Sequence, residues 1–223
     1  MASTVIDLSV LVDTETKSPP STDLKVEVTR YNRGPGFWQV SAVSMGLHTG
    51  AHIDSPLHCY EDGITTAQIP LERVIGEASM IDCTSAGERE PVDVGVLEKG
   101  AGDIREGDIL VLRTDWTDQA YGDFPRYFTE SPFLTPEAAE WLAARKPSAV
   151  AFDFFEEYCA RLPDFTSEDF VCHRILLGDG IPMLEGLTNL SRVGRGRFDF
   201  YAPFYYLDGC DGASARFFAT VPA

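Results

Sequence analysis

The densest group of chemically active side chains is a short segment that holds three of the chain's four histidines. These are His48, His52 and His58, and Asp54 lies among them. All four positions are even-numbered, and residues two apart in an extended chain point to the same face. A helix explains the spacing less well, because Asp54 would turn away and the segment contains a glycine and a proline. The pattern predicts an extended segment whose imidazole and carboxylate groups could bind a divalent metal ion.

The length of this segment limits how it can form one site. The α-carbons of His52 and Asp54 would lie roughly 6.6 Å apart, but the first and last histidines of a fully extended segment would be roughly 33 Å apart. All four side chains can therefore meet only if the chain bends. Gly50 and Pro56 are the expected bending points, because glycine permits unusual φ angles and proline fixes φ. From spacing alone, His58 could be a ligand, an acid/base group or a residue that supports a ligand.

Two residues far along the chain are further candidates for the same site. His173 is the remaining histidine, and Glu185 is an acid within the largely apolar run 180–187. A carboxylate in such a run either ends a strand and faces solvent or, if buried, must be paired or bound to metal.

Strands mixed with few helices must position these side chains. The N-terminus is expected to form a first strand, and residues 14–24, polar and proline-rich, a surface loop or arm. Thr135 and Pro136 predict the start of a helix that Pro147 ends, and a second helix is expected over 167–178 with Ser167 as its cap. Short apolar or alternating runs predict strands at Trp38–Ser44, Ala78–Cys83, Asp108–Arg113, Ala149–Phe155, Phe198–Leu207 and Ala215–Val221, with a turn over 208–212.

Length, charge and cysteine content exclude several classes of protein. A chain of 223 residues fits one α/β or α+β domain. Its net charge of −17 argues against binding to nucleic acid or to a membrane surface. The five cysteines form no Cys-x-x-Cys pair, and the N-terminus lacks the features of a signal peptide, so a cytoplasmic protein is expected. No apolar stretch approaches the ~20 residues that span a bilayer.

The histidine segment also resembles the signature of a known family, the metal-dependent cyclase family that includes bacterial kynurenine formamidase and isatin hydrolase. That signature is His-x-Gly-Thr-His-x-Asp-x-Pro-x-His, and residues 48–58 match it except that Ala51 stands where many members have threonine. The resemblance extends over nearly the whole chain, through the segments 69–73, 106–110, 113–116, 173–174 and 184–187.

The resemblance implies a fold, a partner state and roles for the candidate residues. The fold would be a compact α/β domain of the swivelling β/β/α type with a mixed sheet over residues 1–223, assembled as a homodimer or homotetramer. One or two divalent ions per subunit, zinc or manganese, would be bound. The implied ligands of one ion are His48, His52 and Asp54, those of the second are Asp54, His173 and Glu185, and the implied proton donor and acceptor is His58.

Two departures from kynurenine formamidase bear on the substrate. Residues 11–20 contain no tryptophan, although the formamidases use one near the N-terminus to contact the aryl substrate. Residues 152–158 read Phe-Asp-Phe-Phe-Glu-Glu-Tyr in place of an Asp-Thr-Pro-Ser type of sequence. The aromatic residues of this segment either line a pocket for a flat substrate or pack in the core.

Three functions compete on this basis. The first is a hydrolase that cleaves an amide, formamide, lactam or imide of a small cyclic or aromatic molecule, or a lactone, with metal-activated water. The second is a cyclase, dehydratase or isomerase that uses the metal as a Lewis acid without net hydrolysis. The third is a metal-binding protein without catalysis, which the presence of His58 disfavours.

Overall fold

The computed structural model describes residues 3–22 and 24–222. The strands are β1 Ser3–Asp7, β2 Glu27–Asn32, β3 Gln39–Ser44, β4 His52–Asp54, β5 Ile75–Asp82, β6 Pro91–Val92, β7 Ile109–Arg113, β8 Phe133–Leu134, β9 Ala149–Phe152, β10 Met183–Glu185, β11 Arg197–Tyr201, β12 Gly212–Ser214 and β13 Phe218–Pro222. The α-helices are α1 Val94–Gly100, α2 Trp116–Ala120, α3 Arg126–Thr129, α4 Pro136–Ala143 and α5 Val171–Gly178. Short 3-10 helices include Pro56–His58 and Ser167–Asp169.

One large mixed sheet organises the molecule. Its strand order is β1-β13-β11-β5-β7-β9-β10-β4-β12. The centre is parallel, from β5 through β7 and β9 to β10, and both flanks are antiparallel. The expected α/β class with a mixed sheet core is confirmed.

The central strands are buried on both faces, which is why their sequences are continuously apolar rather than alternating. In β7, Leu110 and Leu112 pack into the core that contains residues of α1, α4 and α5. Ile109 and Val111, on the opposite face, belong to a second core. The sheet is therefore covered on each side by a separate hydrophobic cluster.

The second core shows that the sheet curls. It contains Ile6 near one end of the strand order and Ala213 at the other, together with Phe200 from β11. The Leu8 backbone N–H donates to the Phe217 carbonyl at 2.9 Å, continuing the pairing beyond β1. Apolar residues from both ends of the sheet thus share one core, and the curled sheet encloses it.

The strand expected at Trp38–Ser44 exists as β3, but it lies outside the large sheet. It pairs with β2 in a two-stranded hairpin over six residue pairs. Both strands are almost entirely exposed, including the large side chains of Tyr31 and Val40. Periodicity predicted a strand here correctly, but the assignment of its partner required the tertiary structure.

One other expected strand and the turn that follows it differ in extent. The strand expected over Phe198–Leu207 is β11 and ends at Tyr201. Gly212, expected in a turn, instead begins β12, which pairs with β4 next to the histidine segment. The turn is therefore shorter than expected, and its last residue joins the sheet.

The two predicted helices are present with different ends. Thr135 accepts a hydrogen bond from the Ala138 N–H and Pro136 is the first residue of α4, as predicted, but the helix ends at Ala143, before Pro147. Thr166, not Ser167, is the cap in the second region, where a 3-10 turn precedes α5. Within residues 3–22 and 24–222, no helix is long and apolar enough to cross a membrane.

A buried ion pair ties β7 to β11 across the intervening β5. The guanidinium of Arg197 donates to both carboxylate oxygens of Asp108 at 2.6 and 2.7 Å, and the Arg105 backbone N–H donates at 2.8 Å. The Asp108 side chain is 5% exposed and that of Arg197 is 17% exposed.

We expect Asp108→Ala to lower the free energy of unfolding by about 2–3 kcal/mol, because the largely buried guanidinium of Arg197 loses its buried partner and keeps only the exposed Glu77. Chemical denaturation measures this. Asp103→Ala is the control: it removes an ion pair with Arg105 whose side chains are more than half exposed, and it should cost less than about 1 kcal/mol. Equal effects of the two substitutions would contradict the assignment of Asp108 to the stability of the sheet.

Candidate metal centre

Strand β4 lies at the centre of the site. It pairs with β10 on one side and β12 on the other, so its two polar side chains are held in the interior of the sheet. The side chains of His52 and Asp54, two residues apart in the strand, point to the same face. Glu185 of β10 is directly opposite His52 in the register. The His52 Nε2 atom lies 3.3 Å from Asp54 Oδ1 and 3.7 Å from Glu185 Oε2.

The chain bends on both sides of β4, and these bends bring the outer histidines to it. Gly50 has φ +70°, and Pro56 begins a 3-10 helix that ends at His58. Both bending points predicted from the sequence are confirmed. The His48 Nδ1 atom lies 2.7 Å from Asp54 Oδ1, and the rings of His48 and His58 have centroids 4.1 Å apart.

His173 reaches the same cluster from α5. Its Nε2 lies 3.5 Å from Asp54 Oδ2 and 3.2 Å from Glu185 Oε1. On the other side of the ring, Glu157 Oε1 accepts from Nδ1 at 3.0 Å and from the His173 backbone N–H at 2.8 Å. This arrangement assigns the proton to Nδ1 and leaves Nε2 facing the other two carboxylates, as is usual for metal-binding histidines.

The structure thus brings all six predicted site residues together in one cluster. Together with Glu156, these residues offer ligand atoms in three groups, and the atoms of each group lie within 4.8 Å of one another. The groups are His48 with Asp54 and His58, His52 with Asp54 and Glu185, and Glu156 with His173 and Glu185. Two of these groups include a residue outside the implied ligand sets, namely His58 and Glu156. The individual roles of the six residues stay predictions.

The donor set fits a divalent cation. Several buried carboxylate oxygens have no hydrogen-bond partner within the described part of the chain: Asp54 Oδ2, Glu185 Oε1 and both oxygens of Glu156. Buried charges of this kind need a counter-charge. Imidazole and carboxylate ligands without thiolate suit Zn²⁺, Mn²⁺ or Fe²⁺.

The comparison with known families agrees with this geometry. A family model described as "Putative cyclase" matches residues 6–156, about two thirds of the chain. The chain belongs to the cyclase family.

Named relatives of this cyclase-family protein match over most of its length. It is 26% identical to kynurenine formamidase of Bacillus cytotoxicus over 216 residues, which is 96% of each chain. It is 27% identical to isatin hydrolase of Roseibium aggregatum over 229 residues, covering 92% of this chain and 83% of that one.

Solved structures show the same fold. An isatin hydrolase bound to the product analogue thioisatinate matches with a TM-score of 0.84 at 24% identity, covering 99% of this chain and 93% of that one. A potential metal-dependent hydrolase with cyclase activity matches with a TM-score of 0.77 at 25% identity over the whole of both chains.

In this cyclase-family protein the carboxylates hold protons on the buried imidazoles. Burial alone would lower the pKa of His48, but Asp54 and Asp211 outweigh burial and raise that pKa to about 10. Nearby carboxylates likewise overcome burial and raise the pKa of His52 and of His173. Burial would raise the pKa of Asp54, but the neighbouring imidazoles hold it well below its usual range. A divalent cation would take the place of these protons, so its binding should release protons.

Sequence reasoning missed Asp211, which links two of the histidines. Its Oδ2 lies 2.9 Å from His48 Nε2 and 3.1 Å from His58 Nδ1. The neighbouring Gly212 is required by close packing, since a β-carbon there would lie 2.7 Å from the His48 ring. The sequence presented this segment only as a turn, so no signal in it pointed to the site.

Glu156 and Glu157 were also missed, although here a signal was present. They are two adjacent acids in an aromatic run, and burial of such a pair requires a partner or a cation. Both are buried. Burial and the nearby Glu185 raise the pKa of Glu156 well above its usual range. The argument that identified Glu185 from its apolar surroundings applied equally to them.

A cleft of about 60 Å³ opens onto the cluster. Its walls include Phe155 and Phe170 as well as Pro19, Ser21 and Thr22 of the N-terminal loop. Phe152 and Phe155 both belong to the buried core, and Phe155 in addition lines the cleft, so both interpretations of the aromatic run apply to Phe155. The loop that was expected to lie on the surface also forms part of the cleft.

Proposed function

We propose that this protein is a metal-dependent hydrolase that cleaves a C–N bond (amide, formamide, lactam or imide) of a small cyclic or aromatic molecule. The observation that carries the proposal is the convergence of four histidines on a cluster of carboxylates beside a cleft, where Asp54 Oδ2 and Glu185 Oε1 have no hydrogen-bond partner among the described residues. The relatives named kynurenine formamidase and isatin hydrolase support this class of reaction. The aromatic wall formed by Phe155 and Phe170 supports a flat substrate.

The residues have separate tasks in this proposal. His48, His52 and Asp54 would hold one ion, and Asp54, His173 and Glu185 would hold a second. When bound, the metal supplies activated water and polarises the substrate carbonyl. Zinc or manganese is proposed, since the donor set suits either.

His58 is the proposed proton donor and acceptor. Its Nδ1 is hydrogen-bonded to Asp211, which fixes the orientation of the ring and leaves Nε2 for the substrate. Protonation of the departing nitrogen by His58 prevents the expulsion of an unstable anion. Asp211 in turn is held by both His48 and His58, so it couples the orientation of the proton donor to that of a proposed ligand.

The function is tested by metal analysis and by a substrate panel in water labelled with ¹⁸O. The panel contains N-formyl anilines, isatin-like lactams, cyclic imides and lactones. We expect stoichiometric divalent metal in the purified protein and turnover of at least one C–N substrate, with one ¹⁸O atom in the product acid. Product formed without ¹⁸O would indicate the alternative cyclase or dehydratase reaction, and turnover of lactones alone would indicate a lactone hydrolase.

We also propose that the protein assembles as a homodimer or homotetramer through the β2–β3 hairpin. Phe37 and Trp38 at its tip are 90% and 54% exposed, and Val40 and Val43 are exposed along β3. A second copy of the chain would cover this apolar surface, as clustered exposed apolar side chains usually require.

Light scattering coupled to gel filtration tests the assembly. Replacement of both Phe37 and Trp38 with serine should shift the mass from that of a dimer or tetramer towards the monomer. Leu71→Ser is the matched control, because Leu71 is 51% exposed but lies outside the hairpin. An unchanged mass for the double variant would show that the hairpin is not the interface.

A cytoplasmic location is proposed from the thiols. The five cysteines, Cys59, Cys83, Cys159, Cys172 and Cys210, are all free in the structure. Burial raises the pKa of Cys83 and Cys172, which keeps these thiols protonated and unreactive. Five free thiols, three of them buried, support a reducing compartment.

A further inference from the structure

Glu156 is a fully buried carboxylate to which the proposed function assigns no task. It follows β9 in the loop that carries Phe155, and its relative exposure is 0%. Among the residues that the structure describes, neither of its two carboxylate oxygens has a hydrogen-bond partner. A carboxylate in this position is costly unless a cation or a proton neutralises it.

Within the described part of the chain, the neighbouring imidazole donates no hydrogen bond to it. Glu156 Oε1 lies 3.2 Å from His173 Nδ1, but the proton on Nδ1 is directed to Glu157. Glu157 Oε1 also accepts a hydrogen bond from the His173 backbone N–H. Two hydrogen bonds from His173 therefore hold the Glu157 carboxylate in place. The distance from Glu156 to the ring is therefore a contact without a hydrogen bond.

The surroundings of Glu156 are rich in other carboxylates. One carboxylate oxygen of Glu156, one ring nitrogen of His173 and one carboxylate oxygen of Glu185 all lie within 4.8 Å of one another. Glu185 Oε1 and Asp54 Oδ2 likewise have no hydrogen-bond partner in the described chain. Glu156 and Glu185, this close and both buried, repel one another unless a cation or a proton lies between them.

We propose that Glu156 is a direct ligand of the second divalent cation, together with Glu185 and His173. This inference rests on the proposed metal centre and adds a carboxylate to it. With Asp54 as the third carboxylate and His173 as the imidazole, this position is rich in the oxygen ligands that suit Mn²⁺.

Metal binding to the chelator-stripped protein tests the proposal without reference to activity. Isothermal titration with MnCl₂ should show two Mn²⁺ per subunit for the wild type. Glu156→Gln keeps the size of the side chain and removes its charge. We expect this variant to retain one ion and to bind the second Mn²⁺ at least about tenfold more weakly, with a smaller loss for Zn²⁺.

Two further readouts distinguish a ligand from a structural residue. Added Mn²⁺ should raise the melting temperature of Glu156→Gln by less than that of the wild type, because the variant has lost a ligand of the second ion. Electron paramagnetic resonance of the Mn²⁺-loaded wild type should show spin coupling between two ions, and the variant should lose this coupling at the same Mn²⁺ concentration.

Glu168→Gln is the matched control, because its side chain is 76% exposed and should affect none of these readouts. If Glu156→Gln does not fold, Glu156→Asp replaces it, since this variant retracts the carboxylate by one methylene and should weaken the second ion as well. Wild-type Mn²⁺ affinity at both positions in a folded Glu156 variant would overturn this inference alone. Failure of the wild-type protein to bind any divalent ion would overturn the proposed function together with it.

Discussion

Asp54→Asn is expected to abolish the proposed hydrolysis, with kcat/KM falling at least about 10³-fold. Asp54 is the carboxylate shared by both implied ligand sets. Its two oxygens lie 2.7 Å from His48, 3.3 Å from His52 and 3.5 Å from His173. An amide of the same shape cannot supply the negative charge that both ion positions require, so both should be lost.

Metal content by mass spectrometry and initial rates on the best panel substrate measure this effect. Asp62→Asn is the control, because Asp62 is exposed and lies in the loop that follows the histidine segment. It should keep full metal content and full activity. An Asp54→Asn protein with the wild-type metal content would show that this carboxylate is not a ligand.

His58→Gln is expected to lower kcat by about 10²–10⁴-fold while leaving the metal content unchanged. The expected loss comes from proton transfer to the leaving group rather than from metal binding. A substrate with a more acidic leaving group should therefore show a smaller loss, because its departure needs less protonation. Steady-state rates on a series of ring-substituted formanilides measure this dependence.

The structure makes the metal measurement decisive for His58. His48, Asp54 and His58 offer ligand atoms within 4.8 Å of one another, so His58 is also placed where it could bind an ion. Loss of one metal equivalent in His58→Gln would assign it as a ligand and refute the proton-donor role. Asp211→Asn is the companion variant: it should reduce kcat less than His58→Gln, because it loosens the ring without removing it.

The location of the site could be predicted from the sequence because four of its residues lie within the short segment 48–58. Alternation in an extended chain puts His52 and Asp54 on one face, and the bends at Gly50 and Pro56 follow from the conformational properties of glycine and proline. The central strands could also be located from the sequence, because strands buried on both faces have continuous apolar runs, but their parallel pairing was not predicted.

The residues that join that segment in the site, Glu185 and His173, are brought to it by tertiary contacts that sequence spacing does not encode. Glu185 lies opposite His52 because β10 and β4 pair in one register, and a shift by one residue would turn it to the other face. Spacing alone did not place His173 near β4. The family resemblance implied that it joins the same site. Register and helix docking are set by the packing of the whole core.

The sequence by itself predicted the family, the fold class and six candidate residues, because short motifs carry the family resemblance that implies them. Only the tertiary structure decided that Asp211 lies between His48 and His58, and that Glu156 enters the cluster. It also placed β2 and β3 outside the sheet. In each case the deciding contacts join segments far apart in the chain, and their geometry exists only once the sheet has curled and closed.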